Sequence, residues 1–522
     1  MSKVFRVILL ISVFCAPFHL FSQLNLQQIG HLSYSPLSLA GCKAYVDSTG
    51  GEWALVGTSA GVSVVDLHDP AQPVQRFTVP GLPSNWRELR TWNGFAYAGS
   101  EADSSGITIV DLRQLPDTIY WKNWFGDGAY AGKVRRSHTV QTANGYLFIF
   151  GGGNVTSGAT IADLNDPWNP HIVGKYTLNY VHDGFIRGDT LWTSEIYEGQ
   201  FGVVDISDVK DPQLITTNPT PGKFNHNSGL SDDSQILFTT DEKQNAPLTS
   251  FDVSDLDNIT LLDTYFPSQK PDKEVHNVRV KGDFLVNPSY GGQLTIVDAS
   301  RPANLIETGW AVVGTSLVWD ADPYLPSGIV FATAKNEGLF VFQPAYQHAA
   351  WLEGTVTDSV SGQPLLGAKV FVTGTPNADT SKIDGSYKTG AALAGAYTLE
   401  AIKPGYQPKS IPNVALQNGV VTTLDIQLTQ ETTGLPPVAG EEALRVSPTL
   451  FRDRLTIAVS PESPFRQNGT LVRLSDLSGK IVLQEKAAEW PFTLQNLQHL
   501  PAGPYLLIVE NGPKRGVVRL EK

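Results

Sequence analysis

VVDLHDP (residues 64–70) is the most informative stretch of this 522-residue chain, because its pattern of two β-branched residues, an Asp and then Asp-Pro returns along the sequence. The third position of the phrase is held in turn by Asp66, Asp111, Asp163, Asp205, Asp252, Asp298 and Phe342. The steps between these positions are 45, 52, 42, 47, 46 and 44 residues. A period of about 40–50 residues is that of a four-stranded propeller blade. The pattern therefore predicts seven repeated sheets.

The two ends of the repeat array predict how it closes. The segment LNLQQIGHLSY (24–34) resembles the last strand of the other repeats, although no repeat precedes it. The seventh repeat ends after Phe342 without a last strand of its own. We expect the N-terminal strand to complete this repeat, which would leave no unpaired edge. An open solenoid is the alternative, but it would need shorter and more uniform repeats. The sequence thus predicts a seven-bladed β-propeller over residues 23–347.

Composition agrees with an all-β, modular and exported chain. The 48 Gly and 34 Pro suit many short strands joined by turns. The length predicts three or four folding units. A net charge of −13 argues against nucleic acid and against an anionic membrane as partners.

The N-terminus has the pattern of a signal peptide over residues 1–22. Lys3 and Arg6 precede an apolar run over residues 7–14, and a cleavage point follows near Ser22. The run is too short to span a bilayer, and no later stretch approaches about 20 uninterrupted apolar residues. Removal of the signal would take Cys15 away and leave Cys42 as a lone thiol, so no intramolecular disulfide is expected.

The repeated phrases resemble LVIVD repeats, and their arrangement is similar to that of the choice-of-anchor B proteins. The resemblance covers about residues 24–345 and rests on the V-V-D-x-x-D-P phrases quoted above. It implies an extracellular bacterial propeller with a C-terminal anchor. It implies no particular activity.

Two further modules follow the repeats. Residues 350–430 contain GTVTD (354–358), DGSY (384–387) and KPGY (403–406), and resemble a carboxypeptidase regulatory-like domain, a prealbumin-type β-sandwich. Residues 431–441 form a polar linker. Residues 442–522 contain DLSGK (476–480) and LPAGPY (500–505), and resemble the type A sorting domain of the type IX secretion system, a small C-terminal β-sandwich. The last resemblance implies type IX export machinery as a partner, although SPTL (447–450) replaces the usual N-P-N-P opening.

Four of the ten histidines occur in successive repeats at a similar distance before the repeat's third position. His138, His182, His226 and His276 precede it by 25, 23, 26 and 22 residues. Repeat geometry places them on neighbouring innermost strands, which predicts that four imidazoles approach one axis. Arg87, Asp320 and Cys42 hold comparable positions in other repeats.

Imidazole is the commonest ligand of borderline divalent metals, so the four histidines predict a metal site in the channel. Oxygen ligands for such an ion would come from nearby acidic residues: Asp183, Glu195, Asp241 and Glu242. The competing interpretation is structural, because a repeated histidine can hydrogen-bond a carbonyl of the next blade. Both interpretations stay open at this point.

Two functions fit the sequence. The first is a non-enzymatic binding protein at the cell surface, whose loops or channel mouth bind an extracellular protein, peptide or glycan. The alternative is a metal-dependent hydrolase or lyase, with the four histidines holding a divalent ion that activates water. Both place the protein outside the cell or on the outer-membrane surface after passage through the periplasm.

Overall fold

A computed structural model describes residues 23–431 except 154 and 316, and residues 444–522 except 462, 468, 478 and 513. The described chain is all-β, and its helical segments are three short 3₁₀ turns at Gly128–Tyr130, Pro464–Arg466 and Leu497–His499. Nowhere in these ranges does a helix reach the length and apolar character needed to cross a membrane. The predicted signal peptide and linker residues 432–441 lie outside the described residues.

Residues 23–344, called here the seven-sheet unit, contain seven antiparallel sheets, S1 to S7, each with four main strands. The strands, in hydrogen-bonded order, are Leu39–Val46, Glu52–Thr58, Gly61–Asp66 and Val74–Pro80 in S1; Leu89–Trp92, Phe95–Ala98, Ile107–Asp111 and Tyr120–Trp124 in S2; Thr139–Ala143, Tyr146–Phe150, Ala159–Asp163 and His171–Tyr176 in S3; Asp183–Arg187, Thr190–Glu195, Gln200–Asp205 and Gln213–Pro219 in S4; Asn225–Leu230, Ile236–Asp241, Leu248–Asp252 and Thr260–Tyr265 in S5; Arg279–Lys281, Phe284–Ser289, Gln293–Asp298 and Ile306–Val312 in S6; and Val318–Asp322, Val330–Ala334, Gly338–Pro344 and Leu26–Leu32 in S7.

The recurring phrase forms the third strand of a sheet and the turn that follows it. In S1 the strand register shifts between Val64 and Val65, which is a β-bulge against the fourth strand. Asp66 then accepts a hydrogen bond from the amide of His68 (2.8 Å), and Asp69 accepts one from the amide of Ala71 (3.1 Å). Such Asx turns reverse the chain without help from neighbouring elements. The Asp66 and Asp69 carboxylates therefore hold the turn that follows the third strand.

The N-terminal strand pairs with the last repeat. Leu26–Leu32 runs antiparallel to Gly338–Pro344, with Leu26 opposite Pro344 and Leu32 opposite Leu339. Two residues earlier, Gln23–Leu24 adds a short fifth strand to S6. The pairing predicted between the first and last parts of the array is thus observed.

Sheets S7 and S1, the last and first in the array, contact each other through hydrogen bonds. The Leu39 amide donates to the Lys335 carbonyl (2.6 Å), and the Thr333 hydroxyl donates to the Ala40 carbonyl (2.5 Å). The Cys42 amide donates to Asp320 at 3.2 Å. These bonds run from the first strand of S1 to the first strand of S7 and to the end of its second strand.

A β-sandwich follows the seven sheets and belongs with them to one compact unit, which ends at residue 429. Its first sheet is centred on Ala350–Asp358, which pairs with Ser386–Ala391, Val421–Thr423 and Ile426–Leu428. Its second sheet has the order Ala378–Thr380, Lys369–Val372, Gly395–Ile402 and Lys409–Leu416. The sandwich is held to S6 by polar contacts, including Arg301 with Glu353 (2.8 Å) and the Ala349 amide with Asp298 (2.7 Å).

The described residues from 444 to 522 belong to a second compact unit. One sheet consists of Leu444–Ser447, Leu455–Val459 and Phe492–Leu494. The other has the order Ile481–Lys486, Leu471–Asp476, Pro504–Asn511 and Lys514–Glu521. Side chains from both sheets, such as Leu455, Leu474 and Leu507, are fully buried in one core. The small C-terminal sandwich therefore has a hydrophobic core of its own.

Replacement of Leu26 by Ala tests the importance of the N-terminal strand. Leu26 is 1% exposed and packs in one core with Phe342 and Val318, so we expect L26A to lower the stability of the seven-sheet unit by about 2–5 kcal/mol. Calorimetric unfolding of the full chain measures this loss. Leu178→Ala, at a leucine that is 60% exposed, is the matched control and should change little. Equal effects of the two substitutions would contradict the pairing.

Candidate functional site

The four histidines lie at, or one to three residues before, the starts of the first strands of S3, S4, S5 and S6. In three of them the backbone amide donates to a carbonyl of the neighbouring second strand: His138 to Phe150 (2.9 Å), His182 to Ser194 (2.9 Å) and His276 to Pro288 (3.1 Å). The equivalent pairing places the side chains at the same level of successive sheets. His226 lies within the first strand of S5.

The imidazole rings form a continuous row across these sheets, called here the histidine stack, in which neighbouring rings are tilted by 40–52°. Ring centroids are 4.0 Å apart for His138 and His182, 4.3 Å for His182 and His226, and 4.2 Å for His226 and His276. The last three side chains are buried, and His138 is half-buried. The structure thus brings together all four histidines that the spacing singled out.

Hydrogen bonds orient two of the rings. Nδ1 of His182 lies 3.2 Å from the His226 carbonyl, and Nδ1 of His276 lies 2.5 Å from the Trp319 carbonyl. A carbonyl only accepts, so Nδ1 carries the proton in each neutral ring and Nε2 has a lone pair. These bonds from a histidine to a carbonyl of the next sheet are the ones that a purely structural role predicts. They also leave the lone pair of Nε2 available to bind a metal ion.

Among the predicted acidic partners, Glu242 lies beside the imidazoles. Its Oε2 is 3.7 Å from Nε2 of His226, and its Oε1 is 3.9 Å from Nε2 of His276. Tyr290 donates a hydrogen bond of 2.5 Å to Oε1. One potential ligand atom from each of His182, His226 and Glu242 lies within 4.8 Å of the others.

The other three predicted carboxylates are engaged elsewhere. Asp183 accepts from Asn227 (2.6 Å) and from the amide of Gly184, which ties S4 to S5. The hydrogen bonds of the other two hold the ends of their own sheets. Glu195 accepts from Asn179, Thr193 and Gln200, and Asp241 accepts from Thr220, Gly222 and Phe224.

His138, at one end of the stack, has a carboxylate of its own. Its Nδ1 lies 2.5 Å from Oε1 of Glu101, a residue of the loop after the second strand of S2. This hydrogen bond lowers the pKa of Glu101. His138 is therefore held by a hydrogen-bond partner that the repeat pattern did not reveal.

Burial sets the charge of the stack. It lowers the pKa values of His182 and His276 well below their usual range, and the neighbouring imidazoles lower them further. Burial also lowers the pKa of His226. The three buried rings are therefore neutral at pH 7.

Glu88 is a buried acidic group near the stack that the sequence analysis missed. It accepts a hydrogen bond from the indole of Trp319 (2.9 Å), and the Trp319 ring packs on His276 at 4.8 Å. Burial and the charge of Asp320 raise the pKa of Glu88 to about 7. The adjacent motif residue Arg87 could have drawn attention to this position.

The cavity at the stack is small. It measures about 10 Å³ and is lined by the four histidines together with Trp86, Glu88, Thr139, Asp183, Asn277 and Trp319. That volume suits one water-sized atom and leaves no room for an organic substrate.

A much larger cavity of about 410 Å³ is lined by the first strands, or the residues directly adjoining them, of all seven sheets. Its wall contains four basic residues, Lys43, Arg90, Arg187 and Arg279, and two acidic ones, Asp232 and Asp322. Uncharged polar groups, among them Gln141, Thr142 and Ser228, complete the lining. The volume is within the range of small-molecule sites.

Two parts of the chain match known families. Residues 273–311 match the LVIVD repeat, and residues 352–429 match the carboxypeptidase regulatory-like domain. The two resemblances are therefore confirmed over these ranges.

The chain also resembles individual relatives over short stretches. It is 31% identical over 90 residues to carboxypeptidase D of Rattus norvegicus and 31% identical over 94 residues to the TonB-dependent receptor SusC of Bacteroides thetaiotaomicron. These matches take 17% and 18% of this chain and span only 6% and 9% of those proteins. Among solved structures, the computationally designed Ika8 protein is similar over 60% of this chain and 99% of its own, with 10% identity and a TM-score of 0.42.

Replacement of Glu88 by Gln tests the buried carboxyl group. Because the folded pKa of about 7 exceeds the ordinary 4.5, the folded state binds a proton that the unfolded state releases, and stability falls as pH rises between these values. The E88Q variant keeps an acceptor for Trp319 but loses the titrating group. We expect its free energy of unfolding, relative to that of the wild type, to rise by about 2–3 kcal/mol between pH 5 and 7.5. Calorimetry at both pH values measures this gain.

Glu198→Gln is the control for this titration, since Glu198 is exposed. It should follow the wild type at both pH values. A stability difference between E88Q and wild type that stays constant with pH would show that Glu88 ionises normally.

Proposed function

We propose that the chain is an exported binding protein of the bacterial surface, whose seven sheets are the blades of a closed β-propeller and whose ligand lies in the central cavity. One observation carries the proposal: a single cavity of about 410 Å³ is lined from all seven sheets. Residues converge from seven sheets on one space when those sheets surround an axis.

The contacts between the chain ends support a closed ring. The N-terminal strand pairs with the last repeat, and S7 bonds to S1 through the Cys42 amide and Asp320. Lys43 of S1 also forms an ion pair with Asp322 of S7 at 2.7 Å. The seventh repeat has no fourth strand of its own, and the N-terminal strand takes that position in S7.

The charges of the cavity favour an acidic ligand. Lys43 is paired with Asp322, and Arg279 with the buried Asp320 (2.6 Å). Arg187 differs, because its hydrogen bonds within the described chain go to two neutral oxygens, the Ser231 carbonyl and the Ser234 hydroxyl. Asp233 interacts with this guanidinium electrostatically, but the hydrogen bonds to neutral oxygens leave it suited to a carboxylate ligand.

The uncharged lining favours hydroxyl groups on the same ligand. Gln141, Thr142, Asn227 and Ser228 offer amide and hydroxyl groups to the cavity. A carboxylate together with several hydroxyls is the chemistry of an acidic sugar. We infer that the cavity binds the acidic sugar of an extracellular glycan.

The cavity at the histidines gives no support to a channel hydrolase or lyase. Its volume of about 10 Å³ would leave a substrate no place beside the imidazoles. The matched families also point to extracellular interaction modules rather than to that chemistry.

The proposal also includes export by the type IX system and attachment at the cell surface, as in the choice-of-anchor B proteins. The signal pattern of residues 1–22 and the sorting-domain motifs of residues 442–522 support it. The relative named as the TonB-dependent receptor SusC, and the two matched families, agree with a cell-surface or extracellular place.

Titration calorimetry with D-glucuronate, and with D-glucose as the uncharged comparison, tests the binding site on the full chain. We expect glucuronate to bind and glucose to bind at least about tenfold more weakly, since a hydrogen bond between charged groups contributes about 1.5–3 kcal/mol. Arg187→Gln should weaken glucuronate binding by a similar factor.

Arg76→Gln is the matched control, because Arg76 pairs with Asp66 outside the cavity. It should bind glucuronate as the wild type does. Equal binding of the two sugars, no binding of either, or an R187Q variant that binds normally would overturn the site.

Mass spectrometry of the protein released or displayed by a type IX-competent bacterium tests export. We expect a mature chain that begins near Gln23 and lacks the segment after about residue 440. Deletion of residues 442–522 should hold the protein in the periplasm, because it removes the sorting signal. Surface display of the deleted chain would contradict type IX export.

A further inference from the structure

The centre of the histidine stack contains an arrangement that hydrogen bonding alone does not explain. Glu242 presents one oxygen to His226 at 3.7 Å and the other to His276 at 3.9 Å. Both separations exceed the length of a hydrogen bond. The carboxylate therefore faces two ring nitrogens without bonding to either.

The tautomer of His182 is set for cation binding, whereas the buried Nδ1 of His226 has no hydrogen-bond partner in the described part of the chain. Nδ1 of His182 and Nδ1 of His276 donate to carbonyl groups of the next sheet, so the lone pair of each neutral ring lies on Nε2. A histidine whose Nδ1–H is held by a backbone carbonyl is the usual form of a metal ligand, because that bond sets the tautomer and the ring orientation.

The separations suit a shared ion. Ligands at about 2.0–2.2 Å from a tetrahedral zinc ion lie about 3.4 Å from each other. The 3.7 Å between His226 and Glu242 is close to this value, and the potential ligand atoms of His182, His226 and Glu242 all lie within 4.8 Å. Binding would require the three side chains to move inward from separations of up to 4.8 Å to this spacing.

The surroundings hold the ligands in place. Tyr290 donates to Glu242 at 2.5 Å, and its ring stacks on His276 at a centroid distance of 4.9 Å. The Glu242 side chain is 24% exposed, which leaves a path for an ion. The adjoining cavity of about 10 Å³ accepts one atom.

We propose that Nε2 of His182, Nε2 of His226 and the carboxylate of Glu242 bind one divalent first-row transition metal ion. Two imidazoles and a carboxylate favour zinc or a neighbouring first-row ion over magnesium and calcium, which prefer oxygen ligands. The three ligands come from S4 and S5, so the ion joins adjacent sheets. Its role is structural, because the small cavity admits no substrate.

Metal binding is measured on the full chain, which is purified with an affinity tag that contains no histidine. EDTA first removes any bound metal. Equilibrium dialysis against zinc with elemental analysis should give one ion per chain. Zinc should also raise the melting temperature of the seven-sheet unit, and EDTA should reverse the rise. Less than one tenth of an ion per chain would overturn the proposal.

Three variants identify the ligands. Glu242→Gln and His182→Gln should each weaken zinc binding by more than about 100-fold, which is beyond the 10–100-fold that loss of an outer partner costs. Tyr290→Phe removes such an outer partner and should fall within that range. Because Glu242 is partly exposed, E242Q is expected to fold, and circular dichroism verifies this.

Two control variants distinguish this site from nonspecific binding of zinc by other histidines. His171→Gln replaces an exposed histidine, whose side chain is 67% exposed, and should leave the affinity unchanged. His138→Gln should change it less than threefold, because His138 is engaged by Glu101. An E242Q variant that binds zinc like the wild type, or an H138Q variant that loses the ion, would contradict the three-ligand site.

Discussion

The pairing of Leu26–Leu32 with Gly338–Pro344 joins the two ends of the repeat array, and the arrangement at its centre depends on it. Without the N-terminal strand, S7 would have three strands and an exposed edge, which is a site of mispairing. S7 also supplies Asp320, which accepts from the Cys42 amide of S1 and from Arg279 of S6. One strand from the start of the chain therefore completes the sheet that bonds to both of its neighbours.

The first strands of the seven-sheet unit carry buried polar groups, and several of these groups bond between sheets. His182 donates a hydrogen bond to the carbonyl of His226, and His276 donates one to the carbonyl of Trp319. Asp183 accepts a hydrogen bond from the side-chain amide of Asn227. Each bond links the first strand of one sheet to that of the next. Buried polar groups that bond in this way define the register between sheets, since an unpaired one costs about 1–3 kcal/mol. The same strands line both the narrow histidine cavity and the wide basic one.

Much of the fold could be predicted because it is repetitive. Asp66 and its equivalents mark turns by local hydrogen bonds, so their spacing measures the length of a repeat directly. The common offset of the histidines likewise predicted neighbouring rings. Side-chain direction could not be predicted: Glu242 faces the imidazoles, whereas Asp241, one residue earlier, holds the Thr220–Phe224 loop. Glu88 and the basic cavity were also missed, because their residues follow no common phrase and meet only in the folded chain.

A disulfide across the joining strands tests the central claim most directly. Gln27 lies opposite Gln343, and directly opposed strand residues are close enough for a disulfide. In a chain whose Cys15 and Cys42 are replaced by Ser, the double variant Q27C/Q343C should form this bond within one folded molecule, as seen by mass spectrometry of the non-reduced peptides. The pair Q27C/Q213C should not form it. A folded, monomeric Q27C/Q343C chain that stays reduced under oxidising conditions would show that the ends of the array are not joined.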